Sequence, residues 1–201
     1  MTVRQLLVCS AAVAATMASS AFAQAQDGAS ATGWSILPIK GRGYMGLSLG
    51  RSRYSAPCGA TSFACDNTDH SVQISAGSML GNFWGVELGY IDMGRINRGG
   101  GTTGAQGFNV SLVGKAPVWQ AIGVFGKLGT TYGRTETSAL PASGINNGSD
   151  RGFGLSYGAG VSYDFTPRLS ATLGWDSHEF RFAGSGRDPV RSTSLGLQYK
   201  Y

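Results

Sequence analysis

The tetrapeptide Asp176-Ser177-His178-Glu179 holds every side-chain type of a Ser-His-Asp hydrolytic triad. Such a triad works only when the histidine takes the serine's proton and the acid holds the other imidazole nitrogen. In an extended chain, neighbouring side chains point to opposite faces and only residues two apart share one. Asp176 and His178 would then lie together, with Ser177 and Glu179 behind them. The serine is out of reach of its neighbour, so the cluster reads as a polar patch where a strand meets an outer loop. Gly41-Arg-Gly43-Tyr-Met-Gly46 has the GxGxxG spacing of a dinucleotide-binding turn. That turn follows a strand and opens a helix. Here the glycines lead into a two-residue alternation, and no cofactor is implied.

That alternation is the main signal in the chain, and it decides which side chains can meet. Phe153, Leu155, Tyr157, Ala159, Val161, Tyr163 and Phe165 share one face, with Gly, Ser and Asp between them. At about 3.3 Å per residue, this run can cross a hydrocarbon layer even when strongly tilted. Eight such segments run approximately over 43–53, 71–79, 84–93, 107–116, 122–132, 152–164, 168–178 and 192–201. Long polar connections over 54–70, 94–106, 133–151 and 179–191 alternate with short turns at 80–83, 117–121 and 165–167. The turns Leu80-Gly81-Asn82-Phe83 and Phe165-Thr166-Pro167 suit hairpins. An even number of antiparallel strands with long loops at one end predicts an all-β, eight-stranded antiparallel up-and-down transmembrane β-barrel.

A water-soluble barrel or sandwich would show similar alternation, and the second face separates the possibilities. Gly46, Ser48, Gly50, Gly85, Gly89, Ser156, Gly158, Gly160 and Ser162 are too small and too uncharged for a solvated exterior. They suit a narrow lumen, which turns the apolar face and its aromatic residues toward lipid. Lipid also explains why only 13% of residues are charged, against about 25% in soluble proteins. The inward face collects five isolated charges: Glu87, Lys115, Lys127, Asp176 and Lys200. Charge in a narrow lumen needs partners, and eight strands leave only enough interior for side chains to fill. A lumenal ion-pair network is expected, with Glu87 bound to Lys127 or Lys115, closing the lumen rather than lining a pore.

Residues 1–23 read as a cleaved signal peptide: Arg4, an apolar run from Leu6 to about Met17, then Ala21-Phe22-Ala23. The run is shorter than the roughly 20 residues of a membrane-spanning helix. Residues 24–42, rich in Ala, Gly and Ser, read as a flexible periplasmic N-terminal arm. Residues 43–201 are then the barrel with its four long outer loops. Without the leader, 15 basic residues face 11 acidic ones, and they are scattered. Nucleic acid would need a basic cluster, so it is not expected as a partner. In an exported chain, Cys58 and Cys65 would form a disulfide within their loop. A metal would need further ligands, of which nearby His70 supplies at most one, and none is expected.

Tyr44-Met-Gly-Leu-Ser-Leu-Gly-Arg-Ser resembles the first strand of OmpA-like outer-membrane barrels. So do Val86-Glu-Leu-Gly-Tyr-Ile-Asp-Met-Gly, Phe125-Gly-Lys-Leu-Gly and Leu155-Ser-Tyr-Gly-Ala-Gly-Val-Ser-Tyr-Asp-Phe-Thr-Pro, in order and spacing. The resemblance covers the chain from about residue 43. It implies a monomer inserted by the outer-membrane assembly machinery, with Glu87 and Lys127 in the lumenal ion-pair set. It also implies that the terminal alternation, with Leu197, Tyr199 and Tyr201, serves as the assembly signal. Larger members carry a peptidoglycan-binding domain after the barrel; this sequence shows none, so cell-wall tethering does not carry over.

The expected protein is a non-enzymatic integral component of the cell outer membrane. Its barrel supports the envelope, contacting lipid and lipopolysaccharide, and its loops face host or phage surfaces. Arg95, Arg98, Arg134, Arg151, Arg187 and Arg191 stand in those loops as candidates for lipid phosphates. Two rival functions fit the same scaffold: a lipid-modifying enzyme, which needs a nucleophile beside His178 or His70, and a small low-conductance pore.

Overall fold

The computed structural model describes residues 42–56, 65–184 and 186–201. The expected leader, residues 24–41 of the arm and Cys58 lie outside the described residues. Eight strands follow one another: β1 (Arg42–Tyr54), β2 (Thr68–Met79), β3 (Trp84–Arg98), β4 (Gly101–Pro117), β5 (Ile122–Ser138), β6 (Gly148–Asp164), β7 (Leu169–Phe182) and β8 (Gly186–Lys200). Each pairs antiparallel with the next, and β8 closes on β1 with Tyr44 opposite Lys200 and Tyr54 opposite Val190. No described helix is long and apolar enough to cross a membrane. The strands alone must do so, and closure leaves no unpaired sheet edge.

The outward face carries an exposed apolar belt. Leu47 on β1, Phe108 on β4 and Leu195 on β8 are each at least half exposed. A continuous surface of this kind is unstable in water and matches hydrocarbon. Tyr90, Phe108, Tyr132 and Phe153 stand in register across β3 to β6 at one edge of the belt. Their rings meet in tilted pairs, with centroids 5.3 Å apart for Tyr90–Phe108 and 4.9 Å for Tyr132–Phe153.

The strands outlast the belt. They are 12 to 17 residues long, whereas about 9–11 tilted residues cross a bilayer. Three of the four expected long loops are therefore mostly sheet. The β3–β4 turn is only residues 99–100, the β7–β8 turn only 183–185, and the β5–β6 connection only 139–147 with a short 3₁₀ turn at Pro141–Ser143. The reason is chemical. Above the belt the outward positions are mostly polar, with Arg, Asp, Glu, Asn, Gln, Ser and Thr, so the apolar alternation fades while the backbone ladder continues.

One irregularity shapes this upper wall. The β3–β4 register shifts between Asp92 and Arg95, and Gly94 adopts φ +71°, the left-handed region that disfavours other residues. After the bulge, inward positions change parity, from Ile91 and Met93 to Ile96 and Arg98. The freed carbonyls are satisfied by β1: Ser52 Oγ donates to Met93 O at 2.6 Å and Tyr54 Oη to Gly94 O at 2.9 Å. Asp69 Oδ2 accepts from the Arg95 amide at 2.5 Å.

A Cβ at Gly94 would collide with Asp69 Oδ2 and the His70 carbonyl. Gly94→Ala is expected to lower unfolding stability by at least about 1–2 kcal/mol, the usual cost of a left-handed L-residue. Urea unfolding in lipid vesicles measures it.

Candidate functional site

The lumen is built in three layers along the barrel axis. At the short-turn end lies a cavity of about 510 Å³ whose lining includes Tyr44, Glu87, Lys115, Phe125, Lys127, Asp164 and Lys200. Glu87 anchors its floor. Lys127 Nζ stands 2.7 Å from Glu87 Oε1, and Tyr44 Oη donates to Glu87 Oε2 at 2.9 Å. Glu87 is 2% exposed, so the carboxylate depends on these two donors for what water would supply. Nearer the rim, Lys200 Nζ pairs with Asp164 Oδ1 at 2.8 Å.

Above the ion pair is a neutral polar layer. Asn109 Nδ2 donates to Thr131 Oγ1 at 3.0 Å and to Ser156 Oγ at 2.7 Å, and Ser111 Oγ donates to Asn109 Oδ1 at 2.6 Å. His178 Nδ1 lies 2.9 Å from Thr131 Oγ1, while its Nε2 has no partner among the described residues. Thr131 and His178 are 0% and 3% exposed. A hydroxyl beside an imidazole is the start of a nucleophile–base pair, but this one is enclosed, and no substrate can approach it.

The third layer is apolar. Tyr54, Ile91, Met93, Ile96, Ala105, Phe180, Phe182 and Val190 form a single buried cluster across the upper lumen. Tyr54 meets Phe182 edge-on at 6.3 Å. Phe180 fits because Gly133 faces it: any Cβ there would collide with the ring. Arg98 caps this layer from above, 5.6 Å over the Phe182 ring, with Nε donating to Thr103 Oγ1 at 2.8 Å.

Several sequence expectations now have positions. Glu87 and Lys127 meet. Lys115 does not join them; the charges that act on it are Lys200 and Asp164. Asp176 is buried in the lumen with no hydrogen bond or ion pair among the described residues, although Lys127 is close enough to act on it. His178 sits in mid-lumen and not where β7 meets a loop, because β7 continues to Phe182. Arg98, expected in an outer loop, is 1% exposed and points inward, its parity having been reversed by the bulge. Leu197, Tyr199 and Tyr201 are exposed on the outer face. His70 is at the surface, with Asp69 Oδ1 3.3 Å from its Nδ1. No cluster of three potential metal ligands occurs among the described residues.

Two site residues escaped the sequence reading. Asp164 shares the inward parity of Ser162 and was legible, but it sat at the margin of the expected strand. Tyr44 belongs to the family motif, and nothing local marks an aromatic as a hydrogen-bond donor to a residue 43 positions away.

The outward wall above the belt forms a basic collar. Arg51 and Arg53 on β1, Arg95 on β3, Arg134 on β5, Arg151 on β6, Arg181 on β7, and Arg187 and Arg191 on β8 are all exposed. Arg53 faces Arg191, Arg134 faces Arg151 and Arg181 faces Arg187 as direct cross-strand partners. Only Arg134 has a salt bridge among the described residues, to Glu136 at 2.5 Å.

A family model for the outer membrane protein beta-barrel domain matches residues 9–201. The chain belongs to that family. Three solved structures show how far the likeness of fold extends. The neisserial surface protein NspA is 15% identical, with a TM-score of 0.62 over 79% of this chain and 97% of its own. OprG of Pseudomonas aeruginosa is 14% identical, with a TM-score of 0.55 over 80% and 96%. Ail, the attachment invasion locus protein of Yersinia pestis, is 17% identical, with a TM-score of 0.54 over 80% and 99%. No curated protein matches the chain. As an outer-membrane barrel the molecule turns its short-turn end to the periplasm and its extended rim outward.

Lys127→Met strands a buried carboxylate and is expected to cost about 3–5 kcal/mol of stability. The double variant Glu87→Gln/Lys127→Met removes the stranded charge and recovers most of that loss. Equilibrium unfolding of the parent, Glu87→Gln, Lys127→Met and the double variant in vesicles closes the cycle.

Proposed function

We propose that this barrel is a non-enzymatic structural component of the outer membrane that binds lipopolysaccharide phosphates through its arginine collar. The facing Arg–Arg pairs carry this reading. Like charges directly opposite on adjacent strands are destabilising, so such pairs weaken the isolated protein where no acid offsets them, as Glu136 does for Arg134. They become favourable when an anion lies across both guanidinium groups, which bind phosphate in a bidentate fork. The collar stands immediately above the aromatic belt, at the height of lipid A phosphates in the outer leaflet. The apolar plug argues against conduction, and the enclosed His178–Thr131 pair argues against a lipid-modifying enzyme. The same rim is the surface offered to host or phage molecules.

Arg53→Gln/Arg191→Gln is expected to keep or raise stability in neutral detergent, because it relieves repulsion. It should weaken binding to lipopolysaccharide vesicles by about tenfold, the loss of one to two charge-assisted bonds. A variant that binds as tightly as the parent would sink the proposal. Ail has been solved in complex with the heparin analogue sucrose octasulfate, which makes that compound a suitable soluble polyanion for comparison. If it stabilised the protein where lipopolysaccharide did not, the collar would belong to a soluble partner.

The partner reading extends to assembly. Tyr201 N donates to Gly43 O at 2.9 Å, carrying the β8–β1 ladder past Lys200, and Leu197, Tyr199 and Tyr201 present an unbroken outward apolar row as the signal to the assembly machinery. Tyr201→Ala should therefore reduce insertion in cells more than it reduces stability after refolding. Equal insertion of variant and parent in membrane fractions would refute this role.

A further inference from the structure

The periplasmic cavity carries more positive charge than its ion pairs use. Among the described residues its lining includes Arg42, Lys115, Lys127, Arg168 and Lys200, against the side-chain carboxylates of Glu87 and Asp164. Glu87 is committed to Lys127 and Tyr44. Asp164 is committed to Lys200. Lys115 is left half-buried in the wall, beside a second ammonium and sharing that one acid. Placing two ammonium groups around a single carboxylate in a confined space is unfavourable unless another anion completes the set. Apolar surface adjoins these charges: Phe125 lies under Lys127, 5.4 Å from Nζ to the ring centroid, and Trp119 lines the same space at the rim. A concave space of this size, with convergent charges and an aromatic wall, has the build of a small-molecule site.

We infer that this cavity binds a small water-soluble anion from the periplasm: one phosphate or carboxylate group on an apolar body. The anionic group sits between Lys115 and Lys200, and the body lies against Phe125 and Trp119. The closed barrel wall keeps membrane lipids out of the lumen, so the ligand enters from the periplasmic end. The site lies on the opposite end of the barrel from the arginine collar and is independent of lipopolysaccharide binding. It also gives the blind lower half of the lumen a use that a closed channel lacks.

Phenyl phosphate is the probe, titrated by calorimetry into the refolded full-length protein in zwitterionic micelles at low salt, with inorganic phosphate and phenol as comparisons. Saturable one-to-one binding of phenyl phosphate is expected, about tenfold or more tighter than either comparison. Lys115→Gln should weaken binding by about tenfold, since it removes one charge-assisted contact, while Lys115→Arg should retain it. Lys115→Gln is expected to fold, because it removes a cation that has no acid of its own; its heat-modifiable gel migration checks this. Arg53→Gln, on the outer collar, should bind the probe like the parent, which separates this site from the lipopolysaccharide reading. Absence of saturable binding, equal affinity for inorganic phosphate, or undiminished binding by folded Lys115→Gln would each overturn the inference.

Discussion

Hydrocarbon offers no hydrogen bonds, so every backbone N–H and C=O in the spanning region must find a partner within the protein. For a chain of strands this means a closed ladder, and here the closure is the β8–β1 seam from Tyr44–Lys200 to Tyr54–Val190. The rest of the structure follows from it. Eight strands enclose a narrow lumen, which is why the inner face of the spanning region is rich in Gly and Ser. It is also why the few charges there stand in specific pairs. The outer face has the opposite requirement and is apolar from Leu47 to Leu197.

The hydrophobic sense of the strands inverts where the wall leaves lipid. On β1, Met45, Leu47 and Leu49 face out while Gly46, Ser48 and Gly50 face in; two residues further up, Arg51 and Arg53 face out and Tyr54 faces in. On β7 the change runs from Leu173 and Trp175 outside to Phe180 and Phe182 inside. The upper barrel is thus built like a water-soluble one, with an apolar core and a charged exterior, stacked on a lower barrel of inverse design. This is the origin of the plug: its apolar layer is what a solvated rim needs in order to hold its shape.

That inversion also marks where sequence reading stopped working. The lower barrel was legible because small and large residues alternate without interruption, as from Phe153 to Phe165, and the inward parity placed Glu87 and Lys127 on one surface. The upper strands look like loops in the sequence. Phe180 and Phe182 still alternate, but on the parity opposite to Trp175, so the pattern looks broken where only its environment has changed. The Gly94 bulge added a true change of phase, which is why Arg98 was expected outside and lies inside. The facing arginines were each visible as scattered bases; their opposition exists only once the register is known.

The layered lumen also fixes which element sets permeability. In a uniformly polar lumen the Glu87–Lys127 pair would be the gate, since moving one side chain would open a hydrated path. Here the pair is the floor of a cavity open to the periplasm, and above it lie first the Asn109–Thr131–Ser156 hydrogen bonds and then the Phe180–Phe182 layer. An ion that passed the pair would have to shed its water against closely packed apolar side chains, at a cost far above that of breaking one salt bridge. The ion pair therefore acts on stability and on the shape of the cavity, and the seal belongs to the rim. Lipopolysaccharide bound at the collar would tighten that rim from outside, over the same strands whose inner faces form the plug.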